Sequence, residues 1–162
     1  MIIYSTLENV TKQELFDAFI LSFQGFRIIT ETTYESFCEM LEQRNYDATI
    51  SIGAVDSDTG ELVSYVLNSM LERDVKTAYD ILTGTIPSYR RRGISKKIFE
   101  KMKLLLQQNE VKIYTTEVLK NNSEALGLSL AVGFSIRNEV VNTITTPKGS
   151  RDVFEYEIVM NV

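Results

Sequence analysis

Apolar residues recur along the chain at the 3.6-residue period of helices in four places. Two of these helices begin with a capping-box pattern, one at Thr11 with an acid three residues later and one at Thr32 in the same arrangement. A third, long helix carries its apolar stripe from Ile94 onwards. The fourth covers residues 121–132, and Gly133 is placed for its left-handed C-cap.

Seven shorter segments have the length and the β-branched and aromatic content of strands. Pro87 ends the fourth strand because proline withholds an N–H from the ladder. The last strand alternates apolar with polar side chains from Phe154 to Met160, which predicts a half-buried antiparallel strand. The strands are MIIYSTL, ATISIGAVD, LVSYVLNSM, AYDILTGTI, KIYTTEVL, SIRNEVVNTIT and VFEYEIVMN. The pattern predicts one mixed α/β (α+β) domain over residues 1–162, with a mostly antiparallel sheet of about seven strands and about four helices.

The amino-acid composition limits the kinds of catalytic and metal sites that this chain can contain. The 162 residues contain no histidine, which excludes Ser/His and Cys/His triads and the usual zinc ligand sets, so no metal site is expected. A single cysteine excludes an intramolecular disulfide and favours a reducing compartment, the cytoplasm. The first residues lack the basic start and long apolar stretch of a secretory signal, and no apolar run is long enough to span a bilayer.

Charge is concentrated at one turn, in the segment TGTIPSYRRRGISKK. Residues 90–103 hold seven basic residues and one acid, so this segment carries +6 and the rest of the chain carries −11. Arginines before a helix oppose its macrodipole unless an anion lies between them and the free N–H groups of the first turn. A long nucleic acid would be repelled by the remaining charge, so a small, multiply charged anion fits better.

Two motifs in this half of the chain resemble those of the GNAT superfamily of acetyl-CoA-dependent N-acetyltransferases. TIPSYRRRGIS is similar to the family's acetyl-CoA loop, with Ser95 as a small-residue departure at its last position. EVLKNNSEALGLSLAVGF follows at the family's distance and matches its Glu-Val, Asn-x-x-Ala and Gly-Phe positions. The resemblance covers residues 77–134 and implies a GNAT-like fold with acetyl-CoA as co-substrate.

The resemblance also implies which residues hold the cofactor. The pyrophosphate would lie on the turn after the fourth strand, and the pantetheine arm along the end of that strand. Gly84 is expected to mark either a β-bulge or this close approach of the ligand. Asn122 would bond the pantetheine, although capping the fourth helix explains it equally well. The implied cofactor-binding residues are Gly84, Thr85, Ile86, Arg90, Arg91, Arg92, Gly93, Ile94, Ser95, Lys96 and Asn122.

The catalytic residues are less clear from the sequence. Glu117 is the candidate general base, because a glutamate at the matching position has this proposed role in ribosomal-protein alanine acetyltransferases; a plain surface carboxylate is the alternative. Asp80, Glu72 and Glu155 are weaker candidates, and a backbone N–H near Ile86 would hold the thioester carbonyl. Ser129 stands where the family often has a tyrosine general acid, and a serine hydroxyl is a poor acid.

The sequence therefore predicts an N-acetyltransferase acting on a primary amine of a small molecule or a peptide end. The acidic remainder favours a cationic acceptor, with general solubility charge as the alternative. The acceptor walls would come from the first two helices, the loop QGFRIITET and the last two strands. A CoA-binding module without catalysis stays open, no nucleic acid or membrane partner is expected, and a late edge strand could pair with a second copy.

Overall fold

Helices and strands alternate along the chain in a computed structural model that describes residues 1–26 and 31–162. The strands are β1 (Ile2–Thr6), β2 (Ile52–Asp56), β3 (Leu62–Leu71), β4 (Thr77–Thr85), β5 (Ile113–Leu119), β6 (Ser135–Thr146) and β7 (Gly149–Asn161). The helices are α1 (Lys12–Ser22), α2 (Tyr34–Gln43), α3 (Ile94–Gln108) and α4 (Ser123–Val132). No helix of the described residues is long and apolar enough to cross a membrane.

All seven strands join one sheet in the order β1-β2-β3-β4-β5-β7-β6. The pair β4–β5 is parallel, and the other five pairs are antiparallel. A parallel pair needs a crossover connection, which here is the long helix α3. This confirms the mixed, mostly antiparallel seven-stranded sheet that the sequence predicts.

The parallel pair is incomplete. Strand β4 pairs with β5 only at residues 77–79, opposite residues 113–115. Beyond that point β4 continues along β3 as far as Thr85, while β5 continues along β7 as far as Leu119. At the first position of the divergence the Thr116 hydroxyl donates to the Asp80 carbonyl at 2.7 Å, in place of a main-chain bond. The two central strands therefore separate and leave a gap in the middle of the sheet.

Two apolar cores cover the two faces of the sheet. Helix α3 buries Ile98, Met102 and Leu106 on one face, together with Tyr114 of β5. Helices α1 and α2 bury the other face around Phe19 and other apolar side chains. Leu104, at 60% exposure, and the lysines of α3 lie on its solvent face, as its sequence pattern predicts. The gap between β4 and β5 thus lies between two fixed layers of helices.

Three local predictions need correction. The cap of α2 is Thr33, not Thr32: the Thr33 hydroxyl accepts from the Ser36 N–H at 3.1 Å, and the Ser36 hydroxyl accepts from the Thr33 N–H at 2.8 Å. Serine thus replaces the expected acid one residue further on. The residues Ala48–Ile50 form a 3-10 turn before β2. Phe154 is 58% exposed, because β7 has passed the end of its pairing with β5, whose last pair is Leu119 with Glu155.

Position 84 has no room for a side chain, because a buried tyrosine packs against it. A Cβ built on Gly84 would collide with the hydroxyl of Tyr65 and lie 2.6 Å from its Cζ and 3.0 Å from the Ser22 Cβ. The β-bulge of this strand lies elsewhere, where the register of β4 against β3 shifts between Leu82 and Asp80. Of the two roles expected for Gly84, the bulge is therefore wrong, and packing against Tyr65 replaces it.

We expect Gly84→Ala to lower the free energy of unfolding by about 1–3 kcal/mol, because overpacking a fully buried ring forces a backbone shift. Urea unfolding measures the change. The control is Gly127→Ala in α4, where a new Cβ meets nothing within 4 Å. That variant should be neutral or up to about 1 kcal/mol more stable, since alanine favours helix. Equal stability of Gly84→Ala and the parent chain would contradict the packing argument.

Candidate active site

The basic turn lies at the end of the gap, between β4 and α3. Gly93 is the N-cap residue of α3, with φ +75°, and no side chain caps this helix. A Cβ on Gly93 would meet nothing within 4 Å, so the space above the turn is open. Arg91 also has a positive φ, +60°. Because the first-turn N–H groups of a helix have no intrahelical partner, this end of α3 presents free donors beside basic side chains.

Arg90 joins two elements rather than facing the open turn. Its Nη2 donates to the Ser22 carbonyl at the end of α1 at 2.6 Å, and its Nε donates to the Thr85 carbonyl at 3.1 Å. Helix α1 is thereby tied to the last residue of β4. A direct role for Arg90 in holding an anion is not supported by this arrangement.

Arg92 lies over the ring of Tyr89, with its guanidinium carbon 4.9 Å from the ring centroid. The Tyr89 hydroxyl donates to the Asp56 carboxylate at 2.6 Å, and this bond is the main reason that the pKa of Asp56 is lowered. Arg91 and Lys96 are exposed at the turn. These two side chains, and not all three arginines, are the cations best placed for an anion above Gly93.

A chain of hydroxyls explains the serine in the motif. The Ser95 hydroxyl lies 2.8 Å from that of Thr85, which lies 2.8 Å from that of Ser64. A small side chain at the start of α3 thus packs and bonds against the end of β4. Ile86 and Ile94 are buried in the core below α3 and hold the turn from beneath.

The free edge of β4 is displaced by one residue from the sequence prediction. The Ile86 N–H donates to the Val63 carbonyl at 2.9 Å, and the Gly84 carbonyl accepts from the Ser64 hydroxyl at 3.1 Å, so both residues face β3. Because strand residues alternate between the two edges, the main-chain groups of Thr83 and Thr85 face the gap. Thr83 was missed, although counting back two residues at a time along β4 would have found it.

Glu117 lies on the other side of the gap. It sits on β5 opposite Glu157, two residues after Thr115, which pairs with Tyr79. The Tyr79 hydroxyl donates a short hydrogen bond to the Glu117 carboxylate. Burial, and then this bond, raise the pKa of Tyr79 above its ordinary value. Tyr79 therefore stays a neutral donor that fixes the direction of the Glu117 carboxylate, a partner that the sequence did not indicate.

The two motif residues of α4 have local partners. The side-chain Oδ1 of Asn122 accepts from the Ala125 N–H at 3.1 Å, so Asn122 caps the helix as one of its two interpretations predicts. The Ser129 hydroxyl donates to the Ala125 carbonyl at 2.8 Å, one turn back in the same helix. Its proton is thus engaged within α4, which agrees with a minor role for Ser129 as an acid.

Asp80 is a buried carboxyl at the start of the gap. Its Oδ2 accepts from the Thr83 hydroxyl at 2.7 Å, and burial, together with the charge of Glu117, raises the pKa of Asp80 to about 7. The other two weaker candidates lie in ordinary surroundings: Glu155 accepts from Asn142 at 2.6 Å, and Glu72 is exposed. Among the four carboxyls considered, Glu117 and Asp80 are the two at the gap.

A cleft of about 350 Å³ opens beside Glu117 on the side of α2. Its lining residues come from the end of α2, from β3 and the loop after it, and from β4 and β5: Gln43, Arg44, Asn45, Ser69, Leu71, Arg73, Tyr79 and Glu117.

Residues 27–30 of the predicted acceptor loop lie outside the described residues. Glu31, a described residue of the same loop, pairs with Arg151 of β7 at 3.0 Å. Within the described part of the chain, no group of side chains could hold a metal ion.

The separated parallel strands and the basic turn at the head of α3 both lie within a stretch of the chain that a family model matches. A profile of the "Acetyltransferase (GNAT) family" matches residues 13–134. The chain therefore belongs to the GNAT acetyltransferases, for which acetyl-CoA is the co-substrate.

Solved structures show the same fold at low sequence identity. The ribosomal-protein alanine N-acetyltransferase from Escherichia coli is 17% identical, with a TM-score of 0.76 over 100% of this chain and 94% of that one. The PaiA N-acetyltransferase from Thermoplasma acidophilum, in complex with coenzyme A, is 13% identical, with a TM-score of 0.71 over 100% and 99%. The NatC complex bound to Gag peptide and CoA matches at 17% identity and a TM-score of 0.74, over 99% and 98%. No curated protein matches the chain in sequence.

We expect the pKa of Asp80 to make stability depend on pH. The pKa of about 7 in the folded state exceeds the ordinary value of 3.8, so the folded protein binds the extra proton between these values. The free energy of unfolding therefore falls as pH rises from about 4 to about 7. Asp80→Asn keeps an oxygen for Thr83 and removes the charge. The free energy of unfolding of this variant, relative to that of the parent chain, should therefore rise by up to about 4 kcal/mol across this window.

Urea unfolding of both chains at pH 4.5 and pH 8, chosen at about the two ends of the window, gives the comparison. The measured quantity is the change in the difference between the two chains, so a constant cost of the new amide cancels. Parallel pH profiles for the two chains would show that Asp80 is ionised in the folded state.

Proposed function

We propose that this protein transfers the acetyl group of acetyl-CoA directly to a primary amine of a small molecule or a peptide end. The observation that carries the proposal is the gap between β4 and β5, with main-chain groups of Thr83 and Thr85 on one side and Glu117 on the other. An extended pantetheine arm could add to the free edge of β4 as a further strand, as peptides add to sheet edges.

The turn at the head of α3 fits the pyrophosphate of CoA. The N–H groups of its first turn are free of a capping side chain, and Gly93 leaves the space above them open. Arg91 and Lys96 supply the cations, while Arg90 and Arg92 stabilise the turn itself through Thr85 and Tyr89. Backbone donors, a helix N-terminus and two flexible cations are the usual components of a phosphate site.

The thioester would lie where the strands separate. A main-chain N–H of Thr83 or Thr85 could donate to its carbonyl oxygen and stabilise the charge that develops there during attack. Glu117 takes one proton from the ammonium group before attack. The amine nitrogen then bonds to the carbonyl carbon, the carbon–sulfur bond breaks, and the second proton lost from nitrogen passes to the departing thiolate. A thiol has a pKa of about 8.5, so the departing thiolate needs little help from an acid near neutral pH. The chemistry thus proceeds without the missing tyrosine.

A catalytically weak CoA-binding module is the second candidate, because the Ser129 hydroxyl is bound to its own helix. Turnover of acetyl-CoA with any amine excludes it.

The edge strand β6 (Ser135–Thr146) could pair with a second copy. The free thiol of Cys38 agrees with a cytoplasmic location. Broad assays of acetyl transfer to amino acids, polyamines, aminoglycosides and peptide ends test the activity itself.

We expect Glu117→Gln to lower kcat/KM by about two orders of magnitude near neutral pH, because it removes the base and keeps the size of the side chain. The loss should shrink at high pH, where the amine arrives neutral. Ser129→Ala should cost less than about tenfold. Initial rates against pH for the three chains check this, and a larger loss in folded Ser129→Ala than in Glu117→Gln would reverse the assignment.

We expect Gly93→Glu to abolish detectable CoA binding, because it adds a carboxylate where the phosphates would lie. Calorimetry with CoA gives the affinity directly. Gly60→Glu is the matched control: Gly60 has nearly the same φ, +74° against +75°, and equally open space, but lies in the β2–β3 turn. Both variants carry the same backbone strain and charge, so only the first should lose CoA. Equal affinities in both would exclude the turn as the pyrophosphate site.

A further inference from the structure

The cleft beside Glu117 reaches the point where β4 and β5 separate, since its lining includes Tyr79 and Glu117. Under the proposed function, on which this inference rests, the acetyl group lies at that point. An amine that attacks from the side of α2 must then pass through this cleft. Its lining residues are therefore candidates for recognising the part of the acceptor next to the amine.

The charge of the cleft differs from that of the chain. The whole chain carries −5, but the charged side chains lining the cleft are Arg44, Arg73 and Glu117. Gln43, Asn45 and Ser69 add neutral polar groups. Among residues 1–26 and 31–162, neither arginine has a carboxylate oxygen within 4.0 Å. The cleft thus combines one carboxylate with two arginines that form no ion pair within 4.0 Å among the described residues. The pKa of Glu157 is lowered mainly by its bond from Arg137, and the charge of Arg73 contributes at longer range.

The positions of these charges are linked to the candidate base. Burial is the main reason that the pKa of Tyr79 is raised, the nearby charge of Arg44 acts in the opposite direction, and the Tyr79 hydroxyl donates to Glu117. The acid nearest to Glu117 in register, Glu157, is bonded to Arg137 at 2.6 Å, so its charge is already balanced. Two arginines therefore line the same cleft as Glu117, and Arg44 is the one close to Tyr79.

We propose that this cleft binds the carboxylate of the acceptor, and that the substrate is a small amino-carboxylic acid. Its ammonium group would face Glu117 and its carboxylate would face Arg73 and Arg44, for which planar carboxylates are preferred partners. Glu117 takes one proton from the ammonium group before attack. Transfer then forms the amide nitrogen–carbon bond and breaks the carbon–sulfur bond, and the second proton lost from nitrogen passes to the departing thiolate. The N-acetyl product no longer carries the cation that Glu117 attracts, which favours its release.

This assignment differs from the cationic acceptor that the acidic composition favours. At physiological ionic strength, charges are screened over a Debye length of about 8 Å, so distant surface acids act weakly within the cleft. Two arginines that line it act at contact distance. Local charge therefore outweighs the total charge in selecting the acceptor.

The test compares α-amino acids with their own amides as acceptors, at saturating acetyl-CoA. The parent chain should have a lower KM for the amino acid than for the amide. Arg73→Gln should raise the KM for the amino acid by about tenfold or more, the effect of removing a charge-assisted hydrogen bond, and leave that for the amide unchanged. Arg73→Lys should restore part of the loss. Comparing each acceptor between chains cancels the different pKa values of the two amines.

Lys103→Gln is the matched control, because Lys103 is exposed on α3 and its replacement changes the total charge equally. It should leave both KM values unchanged. Preference for amides, polyamines or peptide ends, with no response to Arg73→Gln, would overturn the inference and leave the acetyltransferase proposal in place. A chain that neither binds CoA by calorimetry nor acetylates any acceptor would overturn both.

Discussion

The separation of β4 from β5 is the constraint on which the rest of the structure depends. Two parallel strands in the centre of a sheet normally continue their ladder, because unpaired main-chain groups away from water are costly. Here the ladder between β4 and β5 ends after residue 79, and each strand continues without the other, paired on its far side only. A ligand with an extended, amide-containing arm would satisfy the open edge of β4. The sheet is thus incomplete at one place, and that place is where we propose that the co-substrate binds.

Buried polar contacts hold the sheet together below the gap. The Tyr114 hydroxyl on β5 donates to the Asn68 side chain on β3 at 2.6 Å, and Asn68 donates to the Ile50 carbonyl at 2.7 Å. At the open end, Arg90 ties β4 to α1. Because both ends of the opening are fixed by fully buried or charge-assisted bonds, the gap is a preorganised site.

Much of the fold and the cofactor turn could be predicted from the sequence, because period, caps and the basic motif are local signals. The errors concern residues whose role is determined by tertiary packing. Gly84 is a glycine because Tyr65 lies against it, and Tyr65 is 19 positions away in the chain. Arg90 and Arg92 are identical in the motif but have different partners. Tyr79 and the arginines of the cleft belong to no sequence motif. Their role could not be predicted, because it follows from which strands and helix ends meet beside Glu117.

The most direct test of the account is site-resolved amide hydrogen exchange along β4, with and without saturating acetyl-CoA. The Ile86 amide is bonded to β3 in the free protein, and the strand register directs the Gly84 amide to β3 as well. Those two should exchange slowly in both states. The amides of Thr83 and Thr85 face the gap, so acetyl-CoA should slow their exchange selectively. Unchanged exchange at Thr83 and Thr85 in a chain saturated with acetyl-CoA would contradict binding in the gap.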